Sequence, residues 1–319
     1  MHEFNLIKNY FQKLSKKSPS SLNLNDDVFY DKKNRLVVSV DTYTEGNHFI
    51  DFKNPELVIK KIIRSSISDL ICKGVKPKYY FISGSGNKKT FSKSNLSKIS
   101  KSLNQEQKKF KIFLSGGDTV FSNKLSFTIT SIGFANSIIY RNKAQINDDI
   151  YVSGNLGDSY LGLLVLKKKI HLNKLLKKYF TNQYFMPNIQ FKLVDMIKKF
   201  ANTSIDISDG LLADLDKMIN SQKLSYKINL KDVPISFNLR KVLKLKKFSK
   251  INYVSKGDDY QVLFTSPPKK RRIIRKICSL NGIKVTKIGL IQRANKKSLI
   301  VDHKNRQINL KNKGYLHQF

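Results

Sequence analysis

Acidic residues are scarce in this 319-residue chain: 23 Asp and Glu stand against 60 Lys and Arg, a formal charge of +37 at pH 7. Tryptophan is absent, and the only cysteines are Cys72 and Cys278. Both fall within helix-like stretches, which gives no support to a disulfide framework and leaves two ordinary thiols. Arginine is also scarce, with 9 Arg to 51 Lys. Readers of base edges and bidentate phosphate contacts draw on Arg, and the Lys residues here run from end to end beside many Asn and Ile. A solvated Lys coat is therefore favoured over a nucleic-acid face. Long apolar runs are missing too. LGLLVL at Leu161 to Leu166 falls far short of the roughly 18 residues of a membrane span, and the N-terminal MHEFNLIKNYFQK is amphipathic without a continuous apolar core. No membrane association and a cytoplasmic location are expected. Disorder is disfavoured, because 40% of the residues are hydrophobic and apolar runs recur throughout. At roughly 150 residues per domain, the length suggests two domains.

Hydrophobic periodicity predicts a mixed α/β chain in two halves, with the boundary near Ser137 to Asn147. In the first half, strands are expected at Leu36 to Asp41, Lys78 to Ser83, Lys111 to Ser115 and Leu125 to Phe134, with helices at Pro55 to Lys73 and Lys93 to Leu103. In the second half, strands are expected at Ile150 to Ser153, Thr203 to Ile207, Tyr226 to Leu230, Tyr260 to Thr265 and Lys284 to Ile291. Its helices fall at Asp158 to Leu166, Ile189 to Phe200, Leu211 to Ile219 and Lys269 to Leu280, with a Lys-rich stretch after the first. No repeat of 20 to 50 residues is visible, which argues against a solenoid.

The few acids are unevenly placed. Nineteen are Asp, and fourteen of these group beside strands or helix starts, from Asp26 and Asp27 to Asp258 and Asp259. Short carboxylates at strand ends suit octahedral Mg²⁺ sites that also engage substrate phosphates. Capping and turn formation are equally good explanations for any single one. Three resist that explanation. Asp41 closes the apolar run LVVSV, where an unpaired charge is costly. Asp118 follows KIFLSGG, whose Gly116 and Gly117 allow close backbone approach to a phosphate. Asp69, at 100° per residue, projects beside Val58 and Ile62 rather than toward Lys60 and Arg64. In SIDISDGLLADL, Asp209 could cap the following helix, whereas Asp206 lies inside the strand end, and the two could flank one ion. Ser208 and the free helix-start amides suit phosphate oxygens. GNLGDS at Gly154 to Ser159 is compatible with phosphate or with plain turn chemistry, and His48 reads as a solvated loop residue from spacing alone. Walker A, kinase catalytic-loop and GxSxG patterns are absent, as is any Cys/His cluster for zinc. Carboxylates without an evident nucleophile or general base favour metal-assisted phosphoryl transfer.

The motifs DD (Asp26, Asp27), SVDT with EGNHF, SDL with KG, SGGDT, IDISDGLLADL, GDDY and a terminal KGY occur in an order that resembles the thiamine-monophosphate kinase family, from about Glu3 to Phe319. The resemblance implies a two-domain α/β (α+β type) fold like that of aminoimidazole ribonucleotide synthetase, divided as 1–140 and 141–319, with N-terminal sheets pairing across a homodimer. It implies ATP-dependent phosphorylation of thiamine monophosphate to thiamine diphosphate. Asp27, Ser39, Asp41, Asp69, Asp118, Asp206 and Asp209 match the family's Mg²⁺ ligands, and Val40 matches a position that could serve only through its carbonyl. Gly117, Arg141 and Ser208 match ATP contacts; His48 and Asp258 match positions facing thiamine monophosphate. Three departures stand out. LNLNDD replaces GIGDD, KGDDYQ replaces GGEDYE, and Asn312 stands where a Trp commonly precedes KGY, so weaker substrate binding is expected unless another residue compensates. Selenophosphate synthetase and the hydrogenase-maturation relative would each want a differently placed Cys. Aminoimidazole ribonucleotide synthetase would not be expected to carry EGNHF with IDISDG, and a Lys-rich nucleic-acid binder rests on charge alone.

Overall fold

The computed structural model describes residues 3–310 and 313–315. After a short helix α1 (Glu3–Leu6), the first half runs β1 (Phe29–Asp31), β2 (Leu36–Thr44), α2 (Pro55–Cys72), β3 (Pro77–Gly86), α3 (Lys93–Phe110), β4 (Phe113–Phe121) and β5 (Ser126–Phe134). These strands form a five-stranded sheet in the order β1-β2-β5-β3-β4, antiparallel except where β4 runs parallel to β3 through the α3 crossover. The second half runs β6 (Asp149–Ser153), α4 (Asp158–Leu166), α5 (Lys174–Phe185), α6 (Val194–Ile197), β7 (Thr203–Asp206), α7 (Leu211–Met218), β8 (Leu224–Asn229), α8 (Phe237–Lys246), α9 (Ile251–Val254), β9 (Val262–Ser266), α10 (Arg271–Leu280), β10 (Val285–Arg293) and β11 (Leu299–Val301). Its six-stranded sheet has the order β11-β8-β10-β6-β9-β7.

Several sequence expectations shift for local reasons. The first strand does not stop at Asp41. It continues to Thr44 because TYT keeps the alternation and pairs with β5 over its whole length, with the Thr42 and Thr128 hydroxyls 2.9 Å apart. The strand expected to end at Ser115 runs through Gly116, Gly117 and Asp118 to Phe121, since β3 pairs along it. A Cβ on Gly117 would lie 1.9 Å from the Ile82 carbonyl oxygen, so the neighbouring strand already demands glycine there. The helix expected over 189–200 contracts to a 3₁₀ turn and α6. Arg64 and Gln261 side chains donate to the Pro187 and Asn188 carbonyls, taking acceptors a helix would use. Within the Lys-rich stretch lies α5, N-capped by Asn173, and α8 is N-capped by Ser236. Tyr260 adopts a left-handed backbone (φ 50), so β9 begins only at Val262.

The element that ties both halves together is α2. One apolar core joins its Ile59, Ile62 and Ile63 to Phe127 and Ile129 of β5 and to Tyr184, Val262 and Phe264 of the second half. A second core lies within the six-stranded sheet region, built from Ile150, Leu211, Ile228 and Leu263. Because α2 packs against β2, β5, β7, β9, α3 and α5, most of its residues are buried, Lys61 and Arg64 among them. Arg64, expected on a polar side, is buried and forms a bidentate pair with Glu106 of α3, at 2.8 and 3.0 Å. Removing one partner of such a pair strands the other charge. Glu106→Leu is therefore expected to lower stability by about 3–5 kcal/mol, and Arg64→Met combined with Glu106→Leu to recover most of it. Urea unfolding checks this, and a single substitution that costs nothing would contradict it.

Candidate functional site

Strand alternation places Ser39 and Asp41 of β2 on the face toward α2, while the Val40 side chain points away and is 60% exposed. Asp69, one turn from the end of α2, accepts the Ser39 hydroxyl at 2.5 Å. Ser68 beside it donates at 2.5 Å to Asp206, the last residue of β7. Carboxylate oxygens of Asp27, Asp69 and Asp206 lie within 4.8 Å of one another. Asp41 takes a hydrogen bond from Tyr43 at 3.1 Å, and its carboxyl is pushed up to about 6, mainly by burial. Burial lifts Asp206 to about 7, with the charges of Asp214 and Asp41 adding to it. Asp69 rises well above the usual carboxylate range through burial and then repulsion from Asp41 and Asp206. Crowding and burial raise the proton affinity of these carboxylates for want of positive charge, and a hard divalent cation with oxygen ligands matches the donor set.

Cations of the chain itself border this cluster. Lys73, fully buried, reaches Asp26 at 2.7 Å, Asp27 at 2.8 Å and the Ser204 carbonyl at 3.0 Å. Arg141 holds both oxygens of Asp27 through its guanidinium, and its backbone N–H donates to Asp26 at 2.9 Å. Just before Asp26, Leu22, Asn23 and Leu24 all take left-handed backbone angles (φ 52, 57 and 52), so LNLNDD adopts a glycine-like path without glycine, a strained arrangement. On the far side, Lys217 pairs with Asp209 and, at 3.2 Å, with Asp214. The α7 start is capped from within: Asp214 accepts the amides of Asp209 and Gly210, each at 2.9 Å. Asp209 therefore turns to Lys217 rather than capping the helix, and Ser208 sits in the loop beside it.

The opposite wall carries Asp258 and His48. A Cβ on Gly257 would lie 1.7 Å from the Ser208 carbonyl oxygen, so glycine is required for the Asp258 N–H to reach that oxygen at 2.8 Å. His48 accepts the Thr44 N–H on Nδ1 at 3.0 Å and stands edge-on to Tyr43. A cleft of about 710 Å³ joins these groups: Asp27, Val40, Asp41, His48, Asp69, Arg141, Asp206, Ser208, Asp209 and Asp258 all line it.

Ser39 adjoins the cleft through Asp69. Gly117 and Asp118 are not brought in. Register places Asp118 beside Ser83, Ser83 beside Thr128 and Thr128 beside Thr42, three strand spacings or about 14 Å from the β2 row that carries the acids. Asn312 lies outside the described residues. GNLGDS opens onto a different cavity, and its Gly157 amide is taken by the carboxylate of the distant Asp259 at 2.8 Å. Sequence reasoning passed over Lys61, Lys217, Tyr184 and Tyr260 as site residues. A usable signal existed for the first, since Lys61, Ser65 and Asp69 recur every four residues and so share one stripe of α2.

Residues 25–135 match a family model described as "AIR synthase related protein, N-terminal domain", and residues 236–297 match one described as "Uncharacterized protein conserved in bacteria". The thiamine-monophosphate kinase of Buchnera aphidicola subsp. Acyrthosiphon pisum is 34% identical to the chain, covering 99% of it and 98% of the relative. That of Haemophilus influenzae is 33% identical over 84% of the chain and 83% of the relative. A solved structure of AaThiL complexed with AMPPCP and TMP superposes with a TM-score of 0.85 at 26% identity, covering 99% of this chain and 97% of that one.

If the acid cluster takes a divalent cation, Mg²⁺ at 100 times its dissociation constant should stabilise the fold by about 2.7 kcal/mol. Asp69→Asn or Asp206→Asn should weaken the binding more than about tenfold, the least that losing even an outer-shell partner costs. Calorimetric titration with Mn²⁺ or Mg²⁺ reads this directly, and unchanged affinity in both variants would remove these residues from the ligand set.

Proposed function

We propose that this chain, which belongs to the thiamine-monophosphate kinase family, transfers the γ-phosphoryl group of ATP to thiamine monophosphate in the acid-lined cleft, releasing thiamine diphosphate and ADP. The observation that carries the reading is the meeting of Asp27, Asp41, Asp69 and Asp206 with Arg141 and Ser208 in one cleft, across from His48 and Asp258. A related fold holding AMPPCP, in which a methylene replaces the bridging β–γ oxygen of ATP, together with TMP supports it.

The acceptor is a phosphate oxygen, anionic at neutral pH, so attack on the γ-phosphorus needs no general base, and no side chain here is assigned as acid, base or nucleophile. The obstacle is repulsion between two anions. Several Mg²⁺ ions, held by Asp27, Ser39, the Val40 carbonyl, Asp41, Asp69, Asp118, Asp206 and Asp209, would supply the neutralising charge. Arg141, already oriented by both oxygens of Asp27, presents its guanidinium edge to the nucleotide phosphates, and Ser208 and Gly117 contact the same ligand. His48 and Asp258 hold thiamine monophosphate at the other end.

The reading extends to assembly. Asp118 and Gly117 sit on β4, an edge strand exposed along its whole length, where Phe113, Val120 and Phe121 leave 56%, 52% and 76% of their surface uncovered. Apolar exposure on an unpaired edge is a liability that burial against a second copy removes, and such a homodimer would bring Asp118 to a neighbouring cleft. Residues 1–140 and 141–319 act in this reading as two domains, each centred on its own sheet, with the cleft between them. No helix among the described residues is long and apolar enough to cross a membrane, and the enzyme is read as cytoplasmic, with no specific nucleic-acid partner.

A product assay with ATP, Mg²⁺ and thiamine monophosphate should yield thiamine diphosphate and ADP in equal amounts. Use of a different phosphoacceptor instead would sink the substrate assignment. Asp41→Asn should lower turnover by about 10²–10³, the order expected for losing one preorganised electrostatic group. Mixing Asp41→Asn subunits with Asp118→Asn subunits should restore part of the activity if Asp118 serves a neighbouring cleft, and restore none if it serves its own.

A further inference from the structure

We infer that Lys61 is a positioning residue for the thiamine end of the substrate, acting through Asp258. The inference rests on the reading above that Asp258 and His48 face thiamine monophosphate. Lys61 lies on α2 with only 1% of its side chain exposed, and burying an ammonium without a partner is costly. Its Nζ sits 2.7 Å from Asp258 Oδ1, bridging 197 residues of sequence, and donates at 3.4 Å to the Tyr184 carbonyl. The same ammonium lies 4.0 Å from the centre of the Tyr184 ring and 5.7 Å from that of Tyr260.

Asp258 needs such an anchor. It and Tyr260 both adopt left-handed backbone angles (φ 68 and 50) that L-residues rarely take, and strained positions persist only when their surroundings hold them. Tyr260 also donates its hydroxyl to Asp258 Oδ1, at 3.0 Å. One carboxylate oxygen thus takes two donors from the protein, while Oδ2 has no hydrogen-bond donor among the described residues and the side chain remains 27% exposed along the cleft. Lys61 thereby selects which oxygen faces the ligand and keeps it an acceptor for an N–H or cationic group, the chemistry that the aminopyrimidine and thiazolium rings of thiamine offer. Tyr184 reaches the second substrate-facing residue by donating its hydroxyl to the His48 carbonyl at 3.2 Å. A single Lys–Tyr contact between α2 and α5 therefore braces both residues at that end of the cleft.

The test is steady-state kinetics of the full-length enzyme with each substrate varied in turn. In Lys61→Met, which keeps the length and apolar stem of the side chain, KM for thiamine monophosphate should rise about tenfold, the effect of losing one positioned contact. Its kcat and its KM for ATP should change little. Combining Lys61→Met with Asp258→Asn should raise KM no further than Asp258→Asn alone, because Lys61 acts through that carboxylate. An unchanged KM for thiamine monophosphate, a parallel rise in KM for ATP, or additive effects in the double variant would overturn the inference. If Lys61→Met does not fold, Lys61→Gln, which keeps a donor, carries the same test: a smaller rise in the same KM, again non-additive with Asp258→Asn, supports it, and additivity overturns it. A wild-type enzyme that fails to phosphorylate thiamine monophosphate overturns the proposed function and this inference together. Wild-type turnover with an unchanged KM in the variants overturns the inference alone.

Discussion

A charge buried on a helix needs a partner, and α2 buries several. Lys61, Arg64 and Asp69 all lie on it, with Lys73 at its C-cap, and the segments packed around it answer each in turn: Asp258, Glu106, Ser39, and Asp26 with Asp27. Because an unmatched buried ion costs several kcal/mol, these pairings fix how the two sheets sit against α2. The cleft is the consequence. It opens where the carboxylates of β2, α2 and β7 outnumber the cations available to them.

Excess basic charge and scarce acids are two sides of one arrangement. The Lys residues mostly coat the surface, where each is solvated and contributes little, whereas the carboxylates that define the cleft are inside or half-buried. Their raised affinity for protons comes chiefly from desolvation. Lys73 and Arg141 compensate Asp26 and Asp27, and Lys217 compensates Asp209 and Asp214, but among the described residues Asp41, Asp69 and Asp206 have only hydroxyl donors at hydrogen-bond distance. The least compensated carboxylates among the described residues are those three, at the centre of the cleft.

Five of the positive-φ residues follow the same geography. Leu22 to Leu24 precede Asp26, and Asp258 and Tyr260 flank the opposite wall. Strain of this kind is kept where the surroundings over-determine the backbone, and here the surroundings are the salt links and hydrogen bonds that converge on α2. The KGDDYQ segment shows this plainly. Gly257 gives way to the Ser208 carbonyl, Asp258 is pulled to Lys61, and Asp259 turns the other way to hold the Gly157 amide.

Much of the fold was legible in the sequence, because period-two and period-3.6 patterns are local. LVVSV, VIKKII and LSFTITSIGF announce their elements without reference to anything distant, and the grouping of Asp beside strand ends already pointed to metal-held phosphates. Local pattern could not say where a strand stops when a neighbour pairs past an apparent turn, so β2 ran beyond Asp41 and β4 beyond Asp118. Nor could it say which acids meet. Asp41, Asp69 and Asp206 converge because two sheets close on one helix, while Asp118, reached by the same sequence logic, lies three strands away. The sequence alone determined the alphabet of elements and the chemistry of the candidate groups. Tertiary structure alone decided that Lys61 would find Asp258 across 197 residues, since the cost of burying charge is settled only once packing has removed the water.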